Sequence, residues 1–467
     1  MSKELKGRES LKRKRTSVKK MLGEVSMNHL NVVIIIVDAL RKDHAKPLIN
    51  KLKRLDFVSY ENAIAPASWT IPSHASILTG LYPLLHGAHE TKHTKVPDIK
   101  LKKSSFLLSI KLSNLGYETY LLTANPFIRP ENGFIGFKHF FEPSFPNLLS
   151  KAETLKLSRI KEKHKVKGKL GIIKALLAEK QYKLLVSLIM NFFFVKSYLR
   201  FIKGWPREKG SKDIIRELHK FQVSSETANF ILINLMEIHG PHPIGRNITR
   251  MDCLMGKVPH EIIRLWRYYY QRQVDYVTSK VLELMGVLEE KQIFDNSLII
   301  VTSDHGELLG EDKRLGHGTF LYDELLRVPL LIKYPSEMNV RITEDNLRYI
   351  SLIRLKSLIM SLIASKLRDD RILYSDTVLA ESFGIPELIP FSNNEEKQYL
   401  DSLEKYCIAI YHKGFRGIFN VNDWNFEEII SYDPDKAVTE DVKRVLKKRI
   451  IAHLNIALST KALGSRN

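Results

Sequence analysis

Cysteine is scarce: Cys253 and Cys407 are the only two in 467 residues. One disulfide is the most they can form, which excludes a stapled secreted fold and points to reduced thiols in a cytoplasmic protein. The basic N-terminus has no apolar core behind it, so no signal peptide is read there and no export is expected. No stretch reaches the roughly 20 apolar residues of a membrane-spanning helix. The first apolar run, residues 32–37, ends in Asp38 and reads as a buried strand. Internal repeats are absent. Hydrophobic residues make up 44% of the chain, which excludes global disorder. The length suits one large α/β domain with a smaller companion.

Acidic balance is also missing, and the imbalance is local. The net charge is +21. Residues 1–30 carry +6 and residues 151–220 carry +13, so 19 of the 21 charges lie in two segments. Such patches suit a polyanionic partner, a membrane surface above all; specific nucleic-acid binding is not expected. Residues 150–225 form a lysine-rich insertion that runs into LLVSLIMNFFFV (184–195). Twelve such residues are too few to span a bilayer. A helix with basic flanks and a Phe-rich patch suits peripheral association with a membrane interface; a packed hairpin or a dimer contact is the plainer reading. Oligomeric state is left open.

Elsewhere the chain alternates apolar strands with helical stretches. Residues 31–37, 119–123, 230–236 (FILINLM), 297–302 (SLIIVT) and 328–333 (VPLLIK) read as strands. Strands apolar on both faces and separated by helices predict a mainly parallel sheet sandwiched by helices. Its chemistry collects beyond the carboxyl ends of the strands. Asp38, His239, Asp304 and His305 all fall there. A basic tail is expected at 1–27, a catalytic domain at 28–340 and a smaller α+β subdomain at 341–467. That subdomain shows helical patterns near 347–367, strand-like stretches at 376–381 and 406–412, and a basic helix from Thr439.

The most specific segment is APASWTIPSHASILTGLYPLLHG (65–87). It resembles the nucleophile region of the sulfatases, a branch of the alkaline phosphatase superfamily. VIIIVDALRKDH (33–44) and VTSDHGELLG (301–310) resemble that family's two metal-binding strand ends. LGHGTFLYDELLRVPLLI (315–332), GYETYLLTANPF (116–127) and MEIHGPH (236–242) fit as well. These motifs run in the family's order over residues 30–335. The resemblance implies an alkaline-phosphatase-like fold, Thr70 as nucleophile, and a metal held by Asp38, Thr70, Asp304 and His305.

The chemistry agrees. A phosphate or sulfate ester is wrapped in negative oxygens, so its cleavage needs a cation and a nucleophile held in line. A divalent metal makes a threonine hydroxyl available as a nucleophile. An Asp, Thr, Asp, His set suits Mn²⁺, Zn²⁺ or Mg²⁺ better than Ca²⁺. One metal is expected; a second would need further ligands, for which Glu237, His239 and His242 are the candidates. His74, His239 and His317 are candidates for general acid, anion binder or second-metal ligand. Glu307 reads as a residue that orients His305 or faces solvent, and His86 and His89 as structural.

Three departures from the sulfatase pattern bear on the substrate. Threonine at position 70 cannot become formylglycine, and position 74 holds His in place of Arg. Ala39 stands where sulfatases carry a second Asp. These residues favour a phosphoester over a sulfate ester. The alternatives are a sulfuric ester hydrolase without formylglycine, and a pseudoenzyme that binds membrane or polyanion through its insert.

Overall fold

The computed structural model describes residues 30–464 apart from 103, 144–148, 165–167, 223–226, 245–247, 344 and 346. The basic tail expected at 1–27 lies outside the described residues.

Residues 31–37 are almost entirely β-branched, and successive side chains point to opposite faces of a strand. Val32, Ile34 and Ile36 enter one core, and Val33, Ile35 and Val37 the other. This strand, β1 (Asn31–Val37), is the middle of a seven-stranded sheet. The others are β2 (Val58–Tyr60), β3 (Glu118–Thr123), β4 (His139–Phe141), β5 (Asn229–Leu235), β6 (Ser297–Thr302) and β7 (Leu330–Lys333). Their order across the sheet is β2–β7–β6–β1–β5–β3–β4. β1 pairs in parallel with β5 and β6, and β3 in parallel with β5 and β4. β7 runs antiparallel to both β6 and β2. The chain returns from β6 without a long crossover helix, and a parallel return needs one. β7 also starts later than residue 328, because Pro329 has no N–H to give the ladder.

Around the sheet lie α1 (Lys46–Leu52), α2 (Thr70–Thr79) and α3 (Leu108–Asn114). α4 (Lys151–Lys163), α5 (Gly168–Ala178) and α6 (Tyr182–Ser197) make up the insertion. α7 (Ser211–Lys220), α8 (His260–Glu290), α9 (Leu355–Ile363) and α10 (Glu440–Gly464) follow. α2, α3 and α9 bury their apolar residues on one face of the sheet, and α1, α7 and α8 on the other. Ile350, Leu355, Leu358 and Leu373 share the core of β1, so the larger unit continues past the boundary expected at 340. Residues 349–351, expected to be helical, form a short strand beside Ala63 and Ile64.

A separate antiparallel sheet near the C-terminus contains β8 (Thr377–Ser382), β9 (Cys407–His412), β10 (Phe415–Asn420) and β11 (Asn425–Ser431). α10 covers one face with Leu446 and Ile450, and the other face packs on Leu325 and Leu326 of the main body. Cys253 and Cys407 are free.

The insertion folds on itself. Leu157 and Ile160 of α4, Ala175 and Leu176 of α5 and Leu184 of α6 form a small core of their own. The expected twelve-residue apolar stretch belongs to a longer helix: α6 continues through a π-helical turn, Tyr198–Lys203, into one rod of 22 residues. By length and composition this rod reaches the range of a membrane-crossing helix, about 33 Å. The sequence count missed this because it stopped at Lys196.

Candidate metal centre and substrate cleft

The centre is assembled at the carboxyl ends of β1 and β6 and the first turn of α2. Asp38 follows β1 directly, Asp304 and His305 are the second and third residues after β6, and Thr70 opens α2. All four are buried. Ala39 adopts a left-handed backbone (φ 64°), which turns its N–H toward Asp304 Oδ1 at 3.4 Å. Strain of this kind in a non-glycine residue is typical of functional sites. The Asp304 Oδ1 also accepts from the His305 N–H at 3.0 Å.

His305 donates from Nδ1 to the Gly306 carbonyl at 2.7 Å, which leaves the Nε2 lone pair free. Nε2 lies 3.5 Å from Asp38 Oδ1, 3.5 Å from Asp304 Oδ2 and 3.4 Å from Thr70 Oγ1. Asp38 Oδ1 and Asp304 Oδ2 are buried and accept no hydrogen bond. Two orphaned carboxylate oxygens facing an imidazole lone pair form a cradle that fits a cation, because an unpaired buried carboxylate is costly. Among the described residues this trio of Asp38, Asp304 and His305 is the one group of three such side chains close enough to hold a metal. Burial alone raises the Asp304 pKa, but His305, His74 and the Ala39 N–H more than offset it and hold the carboxyl well below its usual range. His305 is shifted upward: burial opposes the charged ring, and Asp304 and Asp38 outweigh it.

Thr70 Oγ1 sits at the rim of this cradle, its O–H directed at Asp38 Oδ2 3.5 Å away. Asn125, just after β3, donates from Nδ2 to the same Asp38 oxygen at 2.8 Å and lies 3.5 Å from Thr70 Oγ1. Asn125 was not read from the sequence. The polar residue closing the apolar strand in LLTAN was the available signal.

Above Thr70 opens a cavity of about 670 Å³. His239 and His317 both line it, their rings edge to face with centroids 4.9 Å apart. His317 Nδ1 bonds to Glu307 Oε2 at 2.8 Å, and His239 Nδ1 donates to the Gly240 carbonyl at 2.8 Å. Each ring therefore keeps its Nε2 for a ligand. Glu307 thus orients His317, not the expected His305. Burial would raise its pKa, but His317, His239 and His305 bring it down to about 2. Burial lowers the His317 pKa although Glu307 opposes the shift.

His74 lies elsewhere than the sequence suggested. One helical turn after Thr70, it is fully buried beneath the centre and outside the cavity. Its Nε2 accepts from Asn234 Nδ2 at 3.2 Å, so Nδ1 carries the hydrogen. Nδ1 is 3.0 Å from the Thr70 carbonyl and 3.3 Å from Asp304 Oδ2. His74 thus contacts Thr70 from beneath, outside the cavity lining. The trio considered for a second metal does not converge: Glu237 Oε1 accepts from the Lys209 and Ser211 N–H groups, at 3.2 and 2.9 Å, and the residue lies outside the cavity. His86 is tied to Ser76 and His89 stacks on Phe383, as expected of structural histidines.

A family profile described as Sulfatase matches residues 30–363. The chain belongs to the sulfatase family. Sulfatase-family likeness to curated proteins is local. An uncharacterized sulfatase, YidJ, of Escherichia coli K12 is 36% identical over 61 residues, 13% of this chain and 12% of that protein. The low-salt glycan biosynthesis sulfotransferase Agl7 of Haloferax volcanii is 43% identical over 65 residues, 13% of this chain and 16% of that protein. Solved folds match over nearly the whole length. A 2-O GAG sulfatase superposes with TM-score 0.57 at 15% identity, covering 94% of this chain and 93% of that one. The phosphonate monoester hydrolase of Silicibacter pomeroyi gives 0.54 at 16% identity, covering 92% and 95%.

Proposed function

We propose that this sulfatase-family protein cleaves or transfers anionic esters, phosphoesters in preference to sulfates, with Thr70 as the nucleophile. The observation that carries this reading is Thr70 Oγ1 standing 3.4–3.5 Å from His305 and Asp38, at the floor of the cleft and beside two orphaned carboxylate oxygens. Asp38, Asp304, His305 and Thr70 would hold a divalent cation (Mn²⁺, Zn²⁺, Mg²⁺ or Ca²⁺), which would supply the positive charge that lowers the hydroxyl's pKa and offsets the anion's charge.

The residues then divide the work. Asn125 holds Asp38 and directs an N–H toward Thr70 Oγ1. The Thr70 hydroxyl gives its proton to Asp38 Oδ2, toward which it is directed, and its oxygen attacks phosphorus, forming a Thr–O–P bond as the bond to the leaving oxygen breaks. That oxygen takes a proton from Nε2 of His317 or His239. In the second step water or an acceptor alcohol attacks phosphorus and its proton passes back to the same ring, while the Thr–O–P bond breaks and Thr70 recovers its proton from Asp38. The preference for phosphorus rests on Thr70, which cannot become formylglycine, and on a phosphonate monoester hydrolase sharing the fold. Hydrolysis of sulfate esters by unmodified Thr70 is the second reading, favoured by the sulfatase neighbours. The complete Asp38, Thr70, Asp304, His305 set argues against a pseudoenzyme. Peripheral association of residues 150–225 with the inner face of the membrane, in a cytoplasmic protein with two free thiols, completes the proposal.

Paired aryl phosphate, phosphodiester and sulfate substrates, assayed after chelation and re-addition of each cation, test it. Metal-restored turnover fastest on a phosphorus ester supports the reading. Faster sulfate release selects the second one.

A further inference from the structure

α6 has two apolar faces, and among the described residues only one has a partner. Leu184, Leu185 and Leu188 pack inward on α4 and α5. Tyr182, Val186, Ile189, Met190 and Phe193 form the other stripe, spaced i, i+4, i+7, i+8 and i+11, and they are 44–62% exposed. Phe201 and Ile202 extend it at 80% and 70% exposure. A soluble protein rarely leaves such a patch open. The surrounding residues 151–220 carry +13. A second copy of this chain would bring like charge against that segment, whereas an anionic lipid surface complements it. The rod is also interrupted by Lys196, Arg200 and Lys203, which suits a helix lying in the interface with its cations among headgroups.

This surface is tied to the cleft. Where the insertion rejoins the body, Lys209 donates its ammonium to the His239 carbonyl. Gln273 Nε2 donates to the Pro206, Arg207 and Glu237 carbonyls at 3.1, 3.1 and 2.7 Å. The apolar rod thus ends beside the loop that presents His239. The cleft beyond the histidines is apolar too, walled by Phe127, Ile244, Ile248, Trp266 and Leu315.

We propose that the exposed face of α6 docks on an anionic bilayer and that the cleft takes an ester carried by a membrane amphiphile, its apolar part along that wall. The substrate half rests on the reading of the cleft as an ester site; the docking half stands without it.

The test uses the full chain and the double variant Ile189→Glu with Phe193→Glu, both exposed positions far from the centre. Co-sedimentation is measured with vesicles of phosphatidylcholine alone and with about one third phosphatidylglycerol. The same vesicles then carry phosphatidic acid or a sulfated glycolipid, matching the ester class that the aryl substrates select. We expect salt-sensitive binding to the anionic vesicles, weakened about tenfold or more in the variant. Aryl-ester turnover should be unchanged, and vesicle-borne turnover should fall with binding. No binding, or equal binding by the variant, overturns the docking. A wild-type dimer that the variant turns into a monomer, without vesicle binding, assigns the face to a second copy and overturns it too. Binding with no excess turnover of the vesicle-borne ester over the variant overturns the substrate assignment. A wild type inert toward every aryl ester that still binds vesicles contradicts the catalytic reading and leaves the docking intact.

Discussion

The metal centre and the α4–α6 insertion are opposites in composition, and each holds groups without partners. At the centre the unpartnered groups are carboxylate oxygens, sealed from water. On the insertion they are aromatic and aliphatic side chains, open to water. Burying an unpaired charge and exposing an apolar stripe are both unfavourable, and a ligand of the matching kind would relieve each: a cation in one place and, as proposed, a lipid surface in the other. The two differ in rigidity. The centre is over-determined by hydrogen bonds from Asn125 and the Ala39 N–H and by that of His305 to the Gly306 carbonyl, whereas the insertion is held mainly by its own small core and the stitch at Lys209.

Variants at the centre and on the insertion should therefore separate cleanly. The largest effect belongs to Thr70→Ala, which should lower kcat/KM by about 10⁴ or more with the circular dichroism spectrum unchanged. Retained turnover would remove Thr70 from the chemistry. Chelation comes next. A cation at a hundred times its dissociation constant stabilises by about 2.7 kcal/mol, so metal removal should lower the wild-type melting temperature and leave Asp304→Asn nearly unmoved. A vesicle-binding insertion should be indifferent to both changes.

Glu307→Gln is milder. Glu307 supports the charged form of His317, so its loss should move the alkaline limb of the rate profile to lower pH and reduce kcat/KM by about 10- to 100-fold. A uniform loss with an unmoved profile would make Glu307 structural only. The smallest effect concerns His242, in the apolar wall against Trp266. Burial brings its pKa from 6.5 down to about 3, with Lys209 adding to the shift. The unfolded chain binds this proton first. Stability from the neutral ring is thus present above pH 6.5 and lost as pH falls toward 3, at about 1.4 kcal/mol per pH unit. His242→Gln should flatten that slope in urea titrations.

Much of the centre was legible because Asp38, Asp304 and His305 sit directly after apolar strands, where short-range pattern and chemistry coincide. Thr70 was legible through the continuous motif around it. His74 was misread because adjacency to Thr70 does not say which way a helix turns; its ring points into the protein. Asn125 and Lys209 were missed because their partners, Asp38 and His239, are distant in sequence. In the small sheet, β10 and β11 were missed because FRGIFN and NFEEIIS mix apolar with polar residues, and their pairing is decided across strands.

The claim on which the rest depends is that Thr70 forms a covalent ester with the transferred group. Acid quench during turnover of an aryl phosphate, followed by mass analysis of the peptide containing Thr70, tests it most directly. The account predicts one phosphoryl group on Thr70, absent after chelation and absent from Thr70→Ala. Steady turnover with unmodified Thr70 at every quench time, retained in Thr70→Ala, would contradict it.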